Sequence, residues 1–140
     1  TEHKFARRPS IMASELRVNT LKDASGNNSI ATSVVANGSA KAFVNLSGDS
    51  TVSIRGSYNT SGVTDNGTGD YTFAWSSSMN DINYTSSGAG GEGATALINV
   101  SQPENATPPA TGSCRFIALY ANSNNFDGTY VGAVIHGDLA

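Results

Sequence analysis

From residue 40 onward, apolar and polar residues alternate in short runs that end in clusters of turn residues. The alternate apolar positions of the first run are Ala40, Ala42, Val44 and Leu46. A period of two places these side chains on one face of a β-strand, whereas a helix would need a period near 3.6. Gly48-Asp49-Ser50 interrupts the run, and Val52 and Ile54 begin the next one. The pattern predicts a hairpin of half-buried strands.

A later run carries three aromatic residues at alternate positions, Tyr71, Phe73 and Trp75. Large aromatic side chains on one strand face are usually buried, so these three are predicted to form the core. The preceding segment, residues 65–70, has the composition of a hairpin turn. Further strands are predicted at residues 12–21, 82–85, 94–100, 113–120 and 130–136. Exposed loops are predicted at residues 86–93, 102–112 and 122–128.

These strands define the expected fold class. No segment shows a sustained helical repeat, and the strands follow one another at intervals of roughly 8–12 residues, which favours antiparallel connections. Ser, Thr, Asn and Gly fill 61 of 140 positions and supply turn residues and uncharged solvent-facing side chains. The prediction is an all-β protein, an antiparallel β-sandwich or open barrel. With only 38% hydrophobic residues, the core should be thin and its apolar surface completed by neighbouring subunits.

The first eleven residues differ from the rest of the chain. Residues 1–11 are polar and basic, and we interpret them as an extended N-terminal arm before a single β domain at residues 12–140. The basic side chains His3, Lys4, Arg7 and Arg8 would be attracted to an acidic protein surface, so they are the predicted docking residues. Because Met12-Ala-Ser resembles a translation start, the arm is an alternative extension, a docking adaptor or sequence added for expression.

The sequence offers little for catalysis or metal binding. Cys114 is the only cysteine, which excludes an intrachain disulfide, and we interpret it as a small buried hydrophobic residue. His3 and His136 lack a second histidine–carboxylate grouping, and residues 65–70 do not match the spacing of a calcium loop. We therefore predict no enzyme activity, no catalytic residue, no metal site and no cofactor.

Charge and hydropathy narrow the expected partners. A net charge of −3 with 14% charged residues does not predict the extended basic surface that nucleic-acid binding requires. No apolar run approaches the roughly 20 residues that span a bilayer, so membrane insertion is not expected. Four aromatics are candidate platforms for sugar rings, but core or intersubunit packing is the preferred interpretation. They are Tyr84, Tyr120, Phe126 and Tyr130.

Four segments of the chain carry a resemblance to a known family: Leu16–Ser29 (LRVNTLKDASGNNS), Gly38–Asn45 (GSAKAFVN), Val63–Thr72 (VTDNGTGDYT) and Val131–Asp138 (VGAVIHGD). Together they resemble a module of tailed-bacteriophage virion proteins that is often labelled tail fibre or tail-fibre-like. The resemblance runs from about Met12 to the C-terminus. The motifs are moderately specific, because they consist of common turn residues in an unusual order.

The resemblance implies a homotrimeric β-rich structural protein on the virion surface, at a fibre tip or as a capsid decoration. Its partners would be other virion proteins of the capsid or tail, with a host surface glycan as a further candidate. The chain departs from the pattern by lacking a long fibre shaft and by carrying the basic arm, and both departures favour direct mounting on the particle. The alternative function is a free carbohydrate-binding β-sandwich module.

Overall fold

The computed structural model describes residues 16–92, 96–101 and 108–140. The chain divides into two compact units, Thr1–Val35 and Ala36–Ala140. This boundary lies further along the chain than the division at residues 11 and 12 predicted from the sequence.

Strands dominate the described residues, and all strand pairs are antiparallel. The all-β prediction is confirmed at this level. In chain order the elements are β1 (Thr20–Leu21), β2 (Ile30–Ala31), α1 (Thr32–Gly38), β3 (Ala42–Ser47), β4 (Ser53–Tyr58), β5 (Thr60–Gly67), β6 (Asp70–Trp75), β7 (Thr85–Glu92), β8 (Ala96–Ser101), β9 (Ser113–Tyr120) and β10 (Tyr130–His136).

The first unit contains a short hairpin in which β1 pairs with β2 and Leu21 lies opposite Ile30. Its loop is organised by the Asp23 carboxylate, which accepts hydrogen bonds from the backbone N–H groups of Ser25 and Asn27. Gly26 adopts φ 76° in this loop, a conformation in which glycine avoids the strain of a Cβ. In the described part of the predicted strand 12–21, only Thr20 and Leu21 are extended in a sheet.

Helix α1 was not predicted. It has only seven residues, Thr32–Gly38, which is too short to reveal a 3.6-residue period in the sequence. Its adjacent Val34 and Val35 are β-branched and favour strands by intrinsic propensity. The Thr32 backbone N–H donates to the carbonyl of Asn19 at 3.0 Å, and this bond ties the start of the helix to the hairpin.

In the described part of the second unit, eight strands form one sheet in the order β4-β3-β10-β7-β8-β9-β6-β5. Strands β9 and β10 have the bounds predicted from the alternating pattern. The predicted hairpin of β3 and β4 is also present, with a bulge between Asn45 and Leu46. The turn predicted at residues 65–70 is shorter in the structure: only Thr68 and Gly69 connect β5 to β6, with Gly69 at φ 64°.

The sheet folds over on itself at Asn59. Strands β4 and β5 lie at opposite edges of the strand order, yet Asn59 alone separates them in the chain. Asn59 adopts φ 51°, and its side-chain amide donates to the carbonyls of Lys41 and Ser77 at 3.0 and 3.1 Å. The Thr60 hydroxyl donates to the carbonyl of Phe43 at 3.0 Å. These bonds hold the two edges together at one end and give the unit a sandwich-like architecture.

The core lies between the two halves of this folded sheet. Strands β3 and β10 pair directly, as do β6 and β9, and each contributes every second side chain to a single buried cluster. The members from these strands are Ala42, Val44, Leu46, Tyr71, Phe73, Trp75, Cys114, Phe116, Ala118, Val131, Ala133 and Ile135. All three aromatics of β6 that were predicted as core are buried.

Residues 86–93 were wrongly predicted to be an exposed loop. Residues 85–92 form β7, which lies between β10 and β8, while residue 93 lies outside the described part. This strand consists of Ser, Gly, Ala, Thr and Glu and carries no apolar alternation. Its position depends on backbone hydrogen bonds to neighbours on both sides, which leave no signal in side-chain patterning. Of the predicted strand 82–85, only Thr85 belongs to a strand.

Replacement of Trp75 by alanine should lower the free energy of unfolding by about 3–5 kcal/mol. The Trp75 side chain is 4% exposed, and its indole N–H donates to the Thr111 carbonyl at 2.6 Å. Its ring makes edge contacts with Phe73 and Tyr84 at 5.5 and 5.3 Å between centroids. Urea unfolding followed by circular dichroism measures the loss. Tyr58→Ala, at an exposed ring that is the cross-strand partner of Phe43, is the control and should cost only about 0.2–1 kcal/mol. A water-like native tryptophan emission would contradict the prediction.

Candidate functional site

The predicted docking residues His3, Lys4, Arg7 and Arg8 lie outside the described residues. The predicted core aromatics Tyr71, Phe73 and Trp75 lie together on the inner face of β6. Their neighbours are side chains of the same core, so they support the fold and present no surface to a ligand.

An ion pair links β6 to β9. The Arg115 guanidinium donates from Nε to Asp70 Oδ1 at 2.7 Å and from Nη2 to Oδ2 of the same carboxylate. Asn66 Nδ2 also donates to Asp70 Oδ1, at 3.3 Å. Hydrogen bonding from Arg115 holds the pKa of Asp70 below its ordinary value and outweighs the opposing effect of burial. The carboxylate is therefore stabilised in its charged form and is unsuited to act as a general base.

A second carboxylate anchors the loop between β9 and β10. Asp127 Oδ1 accepts hydrogen bonds from the Gly69 N–H at 2.6 Å and from the Tyr71 hydroxyl at 3.0 Å. Burial and this hydrogen bond raise the pKa of Tyr71. A Cβ at Gly48 would collide with the same hydroxyl, so glycine is required for close approach there. This arrangement is structural, because each polar group already has a partner within the protein.

Cys114 and His136 also lack the setting of a reactive site. Cys114 is buried on the inner face of β9, and burial raises the pKa of its thiol to about 12. The thiol is therefore protonated near neutral pH, whereas a nucleophile requires the thiolate. His136 lies half-buried at the end of β10. Within residues 16–92, 96–101 and 108–140, no cluster of His, Cys, Asp or Glu could hold a metal ion.

The four candidate sugar platforms have different environments. Tyr84 is buried, and its hydroxyl contacts the carbonyls of Ala110 and Ser113 at 3.1 and 3.0 Å. Tyr120 and Phe126 are half-buried and pack on each other with centroids 4.1 Å apart. Tyr130 is 58% exposed. Of the four, Tyr130 is the one that presents most of its ring to solvent.

The first unit carries an unusual amount of exposed aliphatic surface. Every described residue before Thr32 is exposed. The large apolar side chains among the exposed residues of this unit are Leu16, Val18, Leu21, Ile30, Val34 and Val35. Leu21 and Ile30 are cross-strand partners, 41% and 40% exposed. A short hairpin whose apolar side chains remain in water is only marginally stable by itself, so this surface favours association.

The second unit has a groove across the outer face of its sheet. Its floor is a row of small residues on neighbouring strands, in which Gly132 of β10 lies between Ala89 of β7 and Asn45 of β3. Gly56 of β4 continues the row opposite Asn45. We call this feature, which crosses the strands from Ala89 to Gly56, the transverse groove. Two cavities of about 400 and 320 Å³ share Asn45, Ala89 and Gly132 of this row as lining residues.

Aromatic side chains border the transverse groove on both sides. On one side the rings of Phe43 and Tyr58 stack with centroids 6.2 Å apart, and they are 41% and 57% exposed. On the other side the Arg55 guanidinium carbon lies 4.1 Å above the centre of the Tyr130 ring. The sequence analysis did not select Phe43, Tyr58 or Arg55. The sequence did contain one signal for this surface, because Phe43 is a large aromatic residue on the otherwise polar face of an alternating strand.

Comparison of the chain with protein-family models, with curated proteins and with solved structures found no match. Among the described residues, no helix is both long and apolar enough to cross a membrane. The surfaces themselves therefore provide the structural basis for assigning a function.

Substitution of Asp70 by asparagine should lower the free energy of unfolding at pH 7 by about 1.5–3 kcal/mol, the range for hydrogen bonds to a charged group. Because the folded-state pKa lies below the ordinary value of 3.8, this stabilisation is present above that value and is lost as pH falls through the folded pKa. Thermal unfolding between pH 7 and pH 2 measures the difference between the two proteins, which should shrink at low pH. Asp49→Asn, at an exposed turn, is the control. A constant difference across this range would contradict the assignment.

Proposed function

We propose that the protein is a structural protein of a bacteriophage virion, a homotrimeric β-rich appendage at the virion surface. The proposal combines the resemblance with the exposed aliphatic surface of the first unit, which is the observation that supports it most. The described segments of the resemblance contribute to β1, β3, β5, β6 and β10. The proposal assigns no catalytic activity, metal or cofactor.

The surface of the first unit suits contact between identical chains. The cross-strand pair Leu21 and Ile30 provides adjoining aliphatic side chains, and Val34 and Val35 add two more in α1. Association would remove this surface from water, at a gain of roughly 25 cal/mol per Å² of apolar area. In a closed trimer with rotational symmetry, each copy uses the same residues, so the exposed aliphatic surface of all three copies is buried at once.

In this proposal, the basic arm at residues 1–11 docks the trimer on an acidic surface of the capsid or tail. Lys4, Arg7 and Arg8 supply the positive charge, with His3 beside them. Attraction of this kind decreases with salt concentration, because exposed charges are screened over a Debye length of about 10 Å at 0.1 M salt. Loops of the β domain would then face solvent or the host.

A free carbohydrate-binding module is the second candidate function, and the transverse groove is the observation that favours it. Such a module would bind glycan as an isolated monomer and would not associate with particles. Assembly state and particle association therefore discriminate the two functions.

The purified protein should have a mass near three times that of one chain by multi-angle light scattering. The double variant Leu21→Ser, Ile30→Ser should reduce the mass to that of one chain, because it removes the central aliphatic pair. The double variant Thr20→Ser, Ala31→Ser changes the neighbouring cross-strand pair and serves as the control that remains trimeric. A wild-type protein that stays monomeric at micromolar concentration would refute the trimer.

Deletion of residues 1–11 should reduce incorporation into phage particles while leaving the melting temperature of the β domain nearly unchanged. Neutralising the arm with Lys4→Gln, Arg7→Gln and Arg8→Gln should have a similar effect that is strongest at low salt. Lys22→Gln removes an exposed positive charge outside the arm and is the matched control. Particle association is measured by sedimentation of labelled protein with particles. Equal incorporation of the deleted and full-length proteins would assign docking to the β domain.

A further inference from the structure

We propose that the transverse groove binds an acidic glycan, with sugar rings packed on its aromatic borders and a carboxylate group held by Arg55. The inference deepens the proposed function. It rests on that function for the source of the glycan, whereas the binding itself is argued from the groove. The groove belongs wholly to the second unit.

The groove has dimensions suited to a chain of sugar rings. Its borders lie near Phe43 and Ser47 of β3, four residues apart, which corresponds to about 14 Å along an extended strand. Between them, Gly132 has no side chain and Ala89 has only a methyl group, so the floor stays low across neighbouring strands. The trough runs across the strands, and an extended ligand that spans its width contacts both borders.

The exposed rings provide the apolar contacts that a sugar ring requires. The C–H faces of pyranose rings are apolar, while their hydroxyl groups seek hydrogen bonds, so a suitable site combines aromatic rings with a few polar groups. Phe43 and Tyr58 form a stacked pair at one border. Asn45 lies exposed in the floor beside them, and its amide both donates and accepts hydrogen bonds.

Charge favours an acidic ligand. Arg55 is held over the Tyr130 ring, a cation–π contact that orients the planar guanidinium. Among the described residues that line the two cavities, none is acidic. The planar guanidinium has the geometry to form a bidentate pair with a carboxylate of the ligand. Although the whole chain has a net charge of −3, Arg55 supplies a positive charge at this border.

A second copy of the chain fits this surface less well. A self-complementary contact needs a protruding ridge that fills the groove and an acidic group that meets Arg55. Among the described residues that line the groove, none carries an acidic side chain that could meet Arg55. The exposed aliphatic residues of the first unit contrast with this aromatic and polar surface and are better suited to contacts between protein chains.

Isothermal titration calorimetry of the full chain with a short oligogalacturonate, and with a neutral galacto-oligosaccharide, tests the proposal. Wild-type protein should bind the acidic probe more tightly, with an affinity that decreases as salt is raised. Gly132→Val should weaken binding of both probes about tenfold or more, because the added side chain fills the floor of the groove. A Cβ at Gly132 would lie 3.5 Å from the Val44 carbonyl oxygen, an ordinary contact that the fold tolerates.

Two further variants and a matched control separate the contributions. Tyr58→Ala should weaken binding of both probes, whereas Arg55→Gln should weaken only the acidic one and abolish its salt dependence. Gly62→Val makes the same glycine-to-valine change in β5, where a Cβ would meet nothing within 4 Å, and should bind like wild type.

Failure of wild-type protein to bind oligogalacturonate would overturn the proposal. Equal binding of the two probes with no effect of Arg55→Gln would also overturn it, as would wild-type affinity in both Gly132→Val and Tyr58→Ala. A loss of trimer mass in Gly132→Val would assign the groove to a second copy and refute the glycan. Because light scattering of wild-type protein reports assembly separately, failure of glycan binding is distinguishable from failure of the trimeric appendage.

Discussion

The second unit depends on the contact between the inner faces of two halves of one folded sheet. Tyr71, Phe73 and Trp75 on β6 belong to the same buried cluster as Val44 on β3 and Ile135 on β10. A single sheet could not bury these side chains, because each strand exposes alternate residues on two faces. The fold at Asn59 brings the halves together, so a backbone bend determines whether the alternating pattern yields a core.

Polar groups near this core stabilise its edges without creating reactive chemistry. Asp70 is paired with Arg115, and Asp127 accepts hydrogen bonds from the Tyr71 hydroxyl and from the backbone N–H of Gly69. No buried side-chain nitrogen or oxygen among the described residues lacks a hydrogen-bond partner. Satisfied carboxylates of this kind fix loop positions, whereas a catalytic group needs a free position for substrate. Asp70 and Asp127 are therefore assigned to the stability of the fold.

Sequence patterning predicted the strands whose side chains alternate. Cys114, Phe116 and Ala118 fall at every second position of β9, and both β9 and β10 were predicted with their observed bounds. Strand β7 was missed because Ser, Gly and Ala give no contrast between its faces, and its place is set by hydrogen bonds to distant segments. The transverse groove was missed for a related reason. Gly132, Ala89 and Asn45 become neighbours only through strand pairing, which residue patterns within each strand do not specify.

The two exposed apolar surfaces differ in a way that bears on their partners. Leu21 and Ile30 present flexible aliphatic groups with no hydrogen-bonding capacity, which suits a surface that is dehydrated on contact with protein. Tyr58 and Tyr130 present rigid rings with hydroxyl groups, and Asn45 offers an amide between the two borders. Dehydration of such a surface breaks its hydrogen bonds to water. It is favourable only when the ligand forms new hydrogen bonds in their place. A glycan meets this condition because its ring faces and hydroxyl groups alternate along the chain. Assembly by the first unit and recognition by the second would then proceed independently, each determined by the chemistry of its own side chains.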